Sequence, residues 1–195
     1  WSGCIAYHTK TEFEEDTTQD AKELKKESRK NGFALTVKNL SGESEEFPYV
    51  TSYVFAKEEK VLAFVSTGDE QGFEPGVYHY NLSEGTTKNV ISGKAEFEQL
   101  TYNDDGSLLA FVSDSTTTEE DRDYSLYLWK GEGQASEIVH GNHEAMPEDW
   151  TVSENGKIHF SQTQKRMFFG TAPMGPEKDT TKLEEEIPKL DVWHW

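Results

Sequence analysis

Four short stretches carry the strongest pattern in the chain, and the first two of them are apolar without interruption. "VLAFV" begins at Val61, "LLAFV" at Leu108 and "RMFFG" at Arg166. A fainter copy, "GCIAYHT", begins at Gly3. A strand with one face in water alternates apolar and polar residues. A continuous apolar run of four to eight residues between turn signals predicts a strand covered on both faces. The stretches also align without gaps over a longer window: "VFAKEEKVLAFVST" from Val54, "TYNDDGSLLAFVSD" from Thr101 and "HFSQTQKRMFFGTA" from His159. Phe55, Tyr102 and Phe160 correspond, as do Tyr7, Phe64, Phe111 and Phe169. The window recurs at intervals of roughly 45 to 60 residues, the length of one supersecondary unit.

The segment after each window repeats as well. Beyond a variable loop comes a strand rich in β-branched and aromatic residues: "GFALTVKNL", "GVYHYNL", "YSLYLWKG" and "LDVWHW". The first three lead through a polar turn into a shorter strand, "EEFPYV", "TKNVIS" or "SEIVH". Four antiparallel strands per unit is the pattern of a β-propeller blade, whose middle strands are covered by neighbours on both sides. The expected fold is all-β, a partial β-propeller of about three and a half blades, with a generic β-sandwich as the weaker alternative. The expected segments are residues 1–50, 51–93, 94–141 and 142–195. "WSGCIAYHT" reads as a second strand lacking its inner partner and "LDVWHW" as a third strand lacking its outer one, so both ends are expected to fall within a blade. "NDDGS" (Asn103–Ser107) is read as the turn between the first two strands of its unit, with Asp104 and Asp105 as turn formers and Gly106 at positive φ. The two aspartates lack the alternating carboxylates of a calcium loop.

Composition narrows the picture. Hydrophobic residues make up 34% of the 195 residues, yet aromatics reach 12%. That combination predicts folded blocks with long polar loops rather than disorder. A net charge of −18 argues against nucleic acid as partner, because phosphates would be repelled. The single cysteine, Cys4, excludes an intrachain disulfide. No apolar stretch is long enough for a membrane helix, and the start of the chain lacks the basic and apolar regions of a signal peptide.

"YNDDGSLLAFVSD" resembles the blade repeat of TolB-type propellers and of the prolyl oligopeptidase family; Asn103 and Asp104 replace the usual Ser and Pro, while Asp105 and Gly106 are kept. "KRMFFGTAPMGPEKDTTKLEEEIPKLDVWHW" (Lys165–Trp195) is similar to a blade of large serine peptidases of that family from Bacteroidetes-like bacteria. "NGFALTVKNLSGE" and "VTSYVFAKEEKVLAFVSTG" are similar to the same enzymes. The resemblance implies the N-terminal propeller region of such a peptidase. It implies an α/β-hydrolase domain of the same parent chain as partner, peptide substrates, and a periplasmic or secreted location. It also implies a Ser-Asp-His triad in that other domain. Here no G-x-S-x-G occurs; "GESEE" at Gly42 ends on Glu46. The expectation is therefore no catalytic residue, no cofactor and no metal ligand in this chain. A TolB-type propeller serving as a non-enzymatic interaction module, or a propeller of a carbohydrate-active protein, remains open.

Several residues invite chemistry and are read more plainly. "EDWTVSENG" places Asp149, Trp150 and Glu154 where related peptidases carry a paired glutamate that anchors a substrate amine. Asn155 stands in place of the second Glu, so the stretch is read as the approach to the fourth unit, with Asn155 and Gly156 in a turn. His140, His143 and Glu144 in "HGNHE" miss the spacing of a helical zinc motif and are read as loop residues. Tyr78, Tyr80, Tyr127, Trp129, Trp193 and Trp195 are read as packing between units. A helix is expected over Thr18–Lys30, in the first of three long loops that should emerge on one face. A cut ring should also self-associate through its uncovered blade edges.

Overall fold

The fold was taken from a computed structural model, which describes residues 3–9, 32–68, 72–114, 123–141 and 143–174. The expected helix over Thr18–Lys30 and the strand "LDVWHW" lie outside those residues. Among the described residues all regular structure is strand, and no helix is long and apolar enough to cross a membrane. In chain order the strands are β1 (Cys4–Thr9), β2 (Phe33–Asn39), β3 (Ser44–Phe55), β4 (Val61–Ser66), β5 (Gly76–Asn81), β6 (Thr86–Ser92) and β7 (Glu96–Tyr102). They continue with β8 (Leu109–Asp114), β9 (Tyr124–Trp129), β10 (Ser136–Val139), β11 (Trp150–Val152), β12 (His159–Phe160), β13 (Met167–Phe168) and β14 (Thr171–Pro173).

Every pairing is antiparallel and mostly between chain neighbours. One sheet runs β1-β2-β3-β4-β5-β6, a second runs β14-β11-β9-β8-β7 with β10 also on β9, and β12 pairs with β13. The two most apolar runs, β4 and β8, sit in different sheets and are buried along their whole length.

The burial follows from a strict division of faces. In β4, Leu62 and Phe64 join Leu35, Val37, Phe47 and Val50 in a core shared with the first unit. The alternate residues Val61, Ala63 and Val65 join Phe97, Tyr102, Leu109, Phe111 and Trp129 of the third unit. In β8 the same division recurs: Leu109 and Phe111 face back, while Ala110 and Val112 face forward to Val152 and Ile158. Each middle strand is thus covered twice, by a different neighbour on each face, and a polar residue within the runs Leu62–Val65 or Leu109–Val112 would be stranded without water. The molecule is all-β, and its four-stranded units stack as blades of a partial propeller.

One junction differs from the sequence reading, which takes "EEFPYV" as a short strand ending its unit. The chain runs through as β3, twelve residues long. Its first half pairs with β2 and its second half with β4, and Val50 is in register with both Phe33 and Ser66. The changeover falls at Pro48, which lacks an N–H, and at Tyr49, whose φ of 48° bends the strand. Both ladders shift register there. The first two blades therefore share one sheet, because no loop separates them. The next junction is broken by Gly93, at φ 147°.

The hairpin turns of successive blades touch in series. Glu58 N–H donates to the Asp104 carbonyl at 3.0 Å, and the Lys57 ammonium meets the Asp104 carboxylate at 2.9 Å. Asn103 Nδ2 donates to Gln164 Oε1 of the following turn at 2.7 Å. Gly106, at φ 70°, lies so close to Ala56, Glu59 and Val61 that a Cβ there would meet their side chains at 3.0 to 3.2 Å.

Candidate functional site

The blades present two edges. At one edge lie the hairpin turns just described. At the other the second strands end (Thr9, Ser66, Asp114, Pro173), the third begin (Phe33, Gly76, Tyr124), and the first strands of the third and fourth blades enter (Glu96, Trp150). The gapless repeat places a hydroxyl at the same point of all four second strands: Thr9, Ser66, Ser113 and Thr171. Ser66 donates to the Pro48 carbonyl at 2.7 Å and accepts from Gly68 N–H at 3.1 Å, fastening the strand end to the bend in β3. The Thr9 and Thr36 hydroxyls lie 3.0 Å apart. The Thr9 and Ser66 hydroxyls are thus tied to local backbone and side chains and hold their strand ends in place.

Where the third and fourth blades meet on that edge, carboxylates gather. Glu96, Asp114 and Tyr124 are in register across β7, β8 and β9. The Tyr124 hydroxyl donates to Glu96 Oε2 at 3.1 Å, and the Thr151 hydroxyl donates to Asp123 Oδ1 at 2.6 Å. Asp114 is buried. Glu98 lies on the same strand face as Glu96, since Phe97 between them turns into the opposite core. Burial pushes the Glu98 carboxyl above its ordinary pKa, and the charges of Glu96 and Glu154 push it further. Glu154 arrives from the fourth blade, its carbonyl accepting from Gln99 Nε2 at 2.7 Å. A surface of this kind attracts ammonium or guanidinium groups. Among the described residues no group of three or more His, Cys, Asp or Glu is placed to hold a metal ion.

The structure places the remaining sequence candidates in plain roles. Asp149 has φ 60° and gives its carbonyl to Met174 N–H at 2.7 Å, while Trp150 opens β11. Asn155 donates to Glu154 Oε1 at 2.9 Å, and its N–H reaches Ser153 Oγ at 3.2 Å in a turn before Gly156. Glu154 therefore has Glu98 of the neighbouring blade, rather than residue 155, as its acidic companion. That juxtaposition spans two blades and no local motif announces it; the alternation of "EFEQL" was the available signal. His140 and His143 stack edge to face, 6.1 Å apart, and His143 Nδ1 accepts from Ala145 N–H within its own turn. Tyr78 and Tyr80 pack toward the first blade, and Trp129 toward the second. Tyr127 stacks on Phe111 at 5.5 Å. Trp193 and Trp195 lie outside the described residues.

Two further features have no counterpart in the sequence reading. His79 is buried between the second and third blades, with Nδ1 2.7 Å from the Tyr102 hydroxyl and its ring 4.8 Å from Trp129. Burial, helped by Lys88, holds its pKa down at about 4, so the imidazole is neutral at pH 7. At the turn edge a cleft of about 560 Å³ is lined by Cys4, Val37, Glu43, Lys60, Tyr80 and Glu84. Burial raises the Cys4 pKa and Lys60 only partly opposes it, so the thiol stays protonated and a poor nucleophile.

No family model and no curated protein matches the chain. Among solved structures it is similar to the β-propeller domain of the Trilobed protease from Pyrococcus furiosus, described as having an open velcro topology. The identity is 14% and the TM-score 0.41, over 74% of this chain and 47% of that one. The chain thus spans about half the length of that structure.

Proposed function

We propose that this chain is propeller architecture from a serine peptidase of the prolyl oligopeptidase family. Its work there is to cover the active site and select peptide substrates by size, with a hydrolase domain of the same parent chain supplying the catalysis. The observation that carries this reading is the alignment of strand ends on one edge: the second strands end there at Thr9, Ser66, Asp114 and Pro173, the third strands of the first three blades begin there at Phe33, Gly76 and Tyr124, and these ends form a rim. The sequence resemblance over Lys165–Trp195 supports the family. The carboxylates at the junction of the third and fourth blades give the rim a preference for the cationic end of a peptide.

The test is hydrolysis by the full-length product of the parent gene. Peptides of increasing length should be cleaved with a cut-off, and an active-site serine should be labelled by a fluorophosphonate. Deleting Glu12–Arg29 should change kcat/KM for long peptides at least about tenfold more than for short ones. Equal effects on both lengths would remove the gating role. A full-length product with neither labelling nor cleavage would favour the non-enzymatic interaction module instead.

A further inference from the structure

The turn Ser153–Gly156, between β11 and β12, places an exposed asparagine directly before a glycine. Counting back from the aligned Thr101 and His159, Glu96 of the third blade corresponds to Glu154. Glu96 stays exposed with the fourth blade beside it, so a following blade does not by itself cover this level. Asn155 Nδ2 donates to Glu154 Oε1 at 2.9 Å on the surface, where water competes for the same groups. The Gly156 N–H reaches the Ser153 carbonyl at 3.4 Å, the long limit of a hydrogen bond. Neither group is firmly held, and glycine has no side chain to shield its nitrogen. The glycine is itself dictated by packing. A Cβ at Gly156 would lie 2.3 Å from the Gly170 Cα, and one at Gly170 would lie 2.5 Å from the Gly156 Cα. Beside this contact the Ser153 N–H donates to the Gly170 carbonyl at 2.9 Å. No larger residue fits at 156, so the neighbour that exposes Asn155 to attack cannot be exchanged for a bulkier one.

We infer that Asn155 is a site of spontaneous deamidation, and that the isoaspartate formed there unfastens the fourth blade between Ser153 and Gly170. The Gly156 backbone nitrogen attacks the carbonyl carbon of the Asn155 side chain. The new C–N bond closes a cyclic succinimide; the attacking nitrogen loses its proton, and the side-chain amide group takes one up and leaves as ammonia. Water then opens the ring at either carbonyl. One opening gives aspartate. The other gives isoaspartate, in which the chain runs through the former side chain and is longer by a methylene. The close contact of Gly156 with Gly170 has no room for that extra length. Either product also adds a carboxylate next to Glu154. The reaction needs water and no enzyme, and it is independent of the peptidase reading.

Ageing the full-length product of the parent gene in mildly alkaline buffer, followed by peptide mapping against an unaged sample, tests it. Conversion of amide to acid at Asn155 should run at least about tenfold faster than at Asn39, Asn81 and Asn89, which precede the bulkier Leu40, Leu82 and Val90. An isoaspartate methyltransferase should label the same peptide. Asn155→Gln keeps the amide but must close a larger ring, so its peptide should stay unlabelled. Hydrogen exchange at the Ser153 amide should accelerate in the aged wild type. It should not do so in aged Asn155→Gln, whose thermal melt before ageing shows that it folds. Conversion at Asn155 no faster than at the three comparison asparagines would overturn the inference. So would an isoaspartate-containing protein whose Ser153 amide still exchanges at the unaged rate.

Discussion

At the scale of single residues, the sharpest constraint is His79. A neutral imidazole between Tyr102 and Trp129 serves as a polar filler that a fully apolar interface would not need. Its folded pKa of about 4 lies below the ordinary value of 6.5. Between those values the unfolded chain binds the proton and the folded chain does not, so this group's contribution to stability is intact above pH 6.5 and is lost as pH falls toward 4. The full shift corresponds to about 3 kcal/mol. Urea unfolding at intervals through that window should show wild type losing more stability than His79→Gln, whose slope should be flatter. Parallel slopes would mean that His79 takes up its proton without disturbing the interface. The same scale shows why chemistry was hard to read from the sequence. Asp104 reads as a turn former, yet its carboxylate reaches Lys57 of the previous blade. Glu98 and Glu154 are far apart in the chain and approach only because two blades do.

At the scale of elements, the strands carry the account. In β4 and β8 adjacent residues belong to different cores, so side chains one position apart report on different interfaces. Phe64→Ala should weaken the contact between the first and second blades, and Phe111→Ala that between the second and third. Each should cost about 3 to 5 kcal/mol. Because the two rings share no core, the double variant should equal the sum within about 0.5 kcal/mol, as measured by denaturant unfolding. A large coupling would mean that the cores are one. The strands were legible in the sequence because double burial leaves an unmistakable signal, an apolar run without alternation. The passage of β3 through two blades was not legible. "EEFPYV" contains Pro48, which ordinarily marks a strand end, and only the pairing of Val50 with both Phe33 and Ser66 shows that the chain continues.

At the scale of the molecule, stability comes from stacking rather than from any one sheet. Each blade is a thin wedge that cannot bury both faces alone, as in other repeat architectures. The turns reinforce this with the series of contacts from Lys57 to Asp104 and from Asn103 to Gln164. The candidate functional edge, where the second strands end at Thr9, Ser66 and Asp114, lies opposite those turns.

The most direct test of this stacking is a set of nuclear Overhauser contacts in a methyl- and aromatic-labelled sample. Methyls of Ala63, Val65, Val77 and Val90 should show contacts to the rings of Phe97, Phe111 and Trp129. The Leu62 methyls should instead show contacts to the Phe47 and Tyr80 rings and none to Phe111. Contacts from Leu62 and Ala63 to the same rings, or from none of these methyls to the third blade, would contradict the two-faced burial of the middle strands.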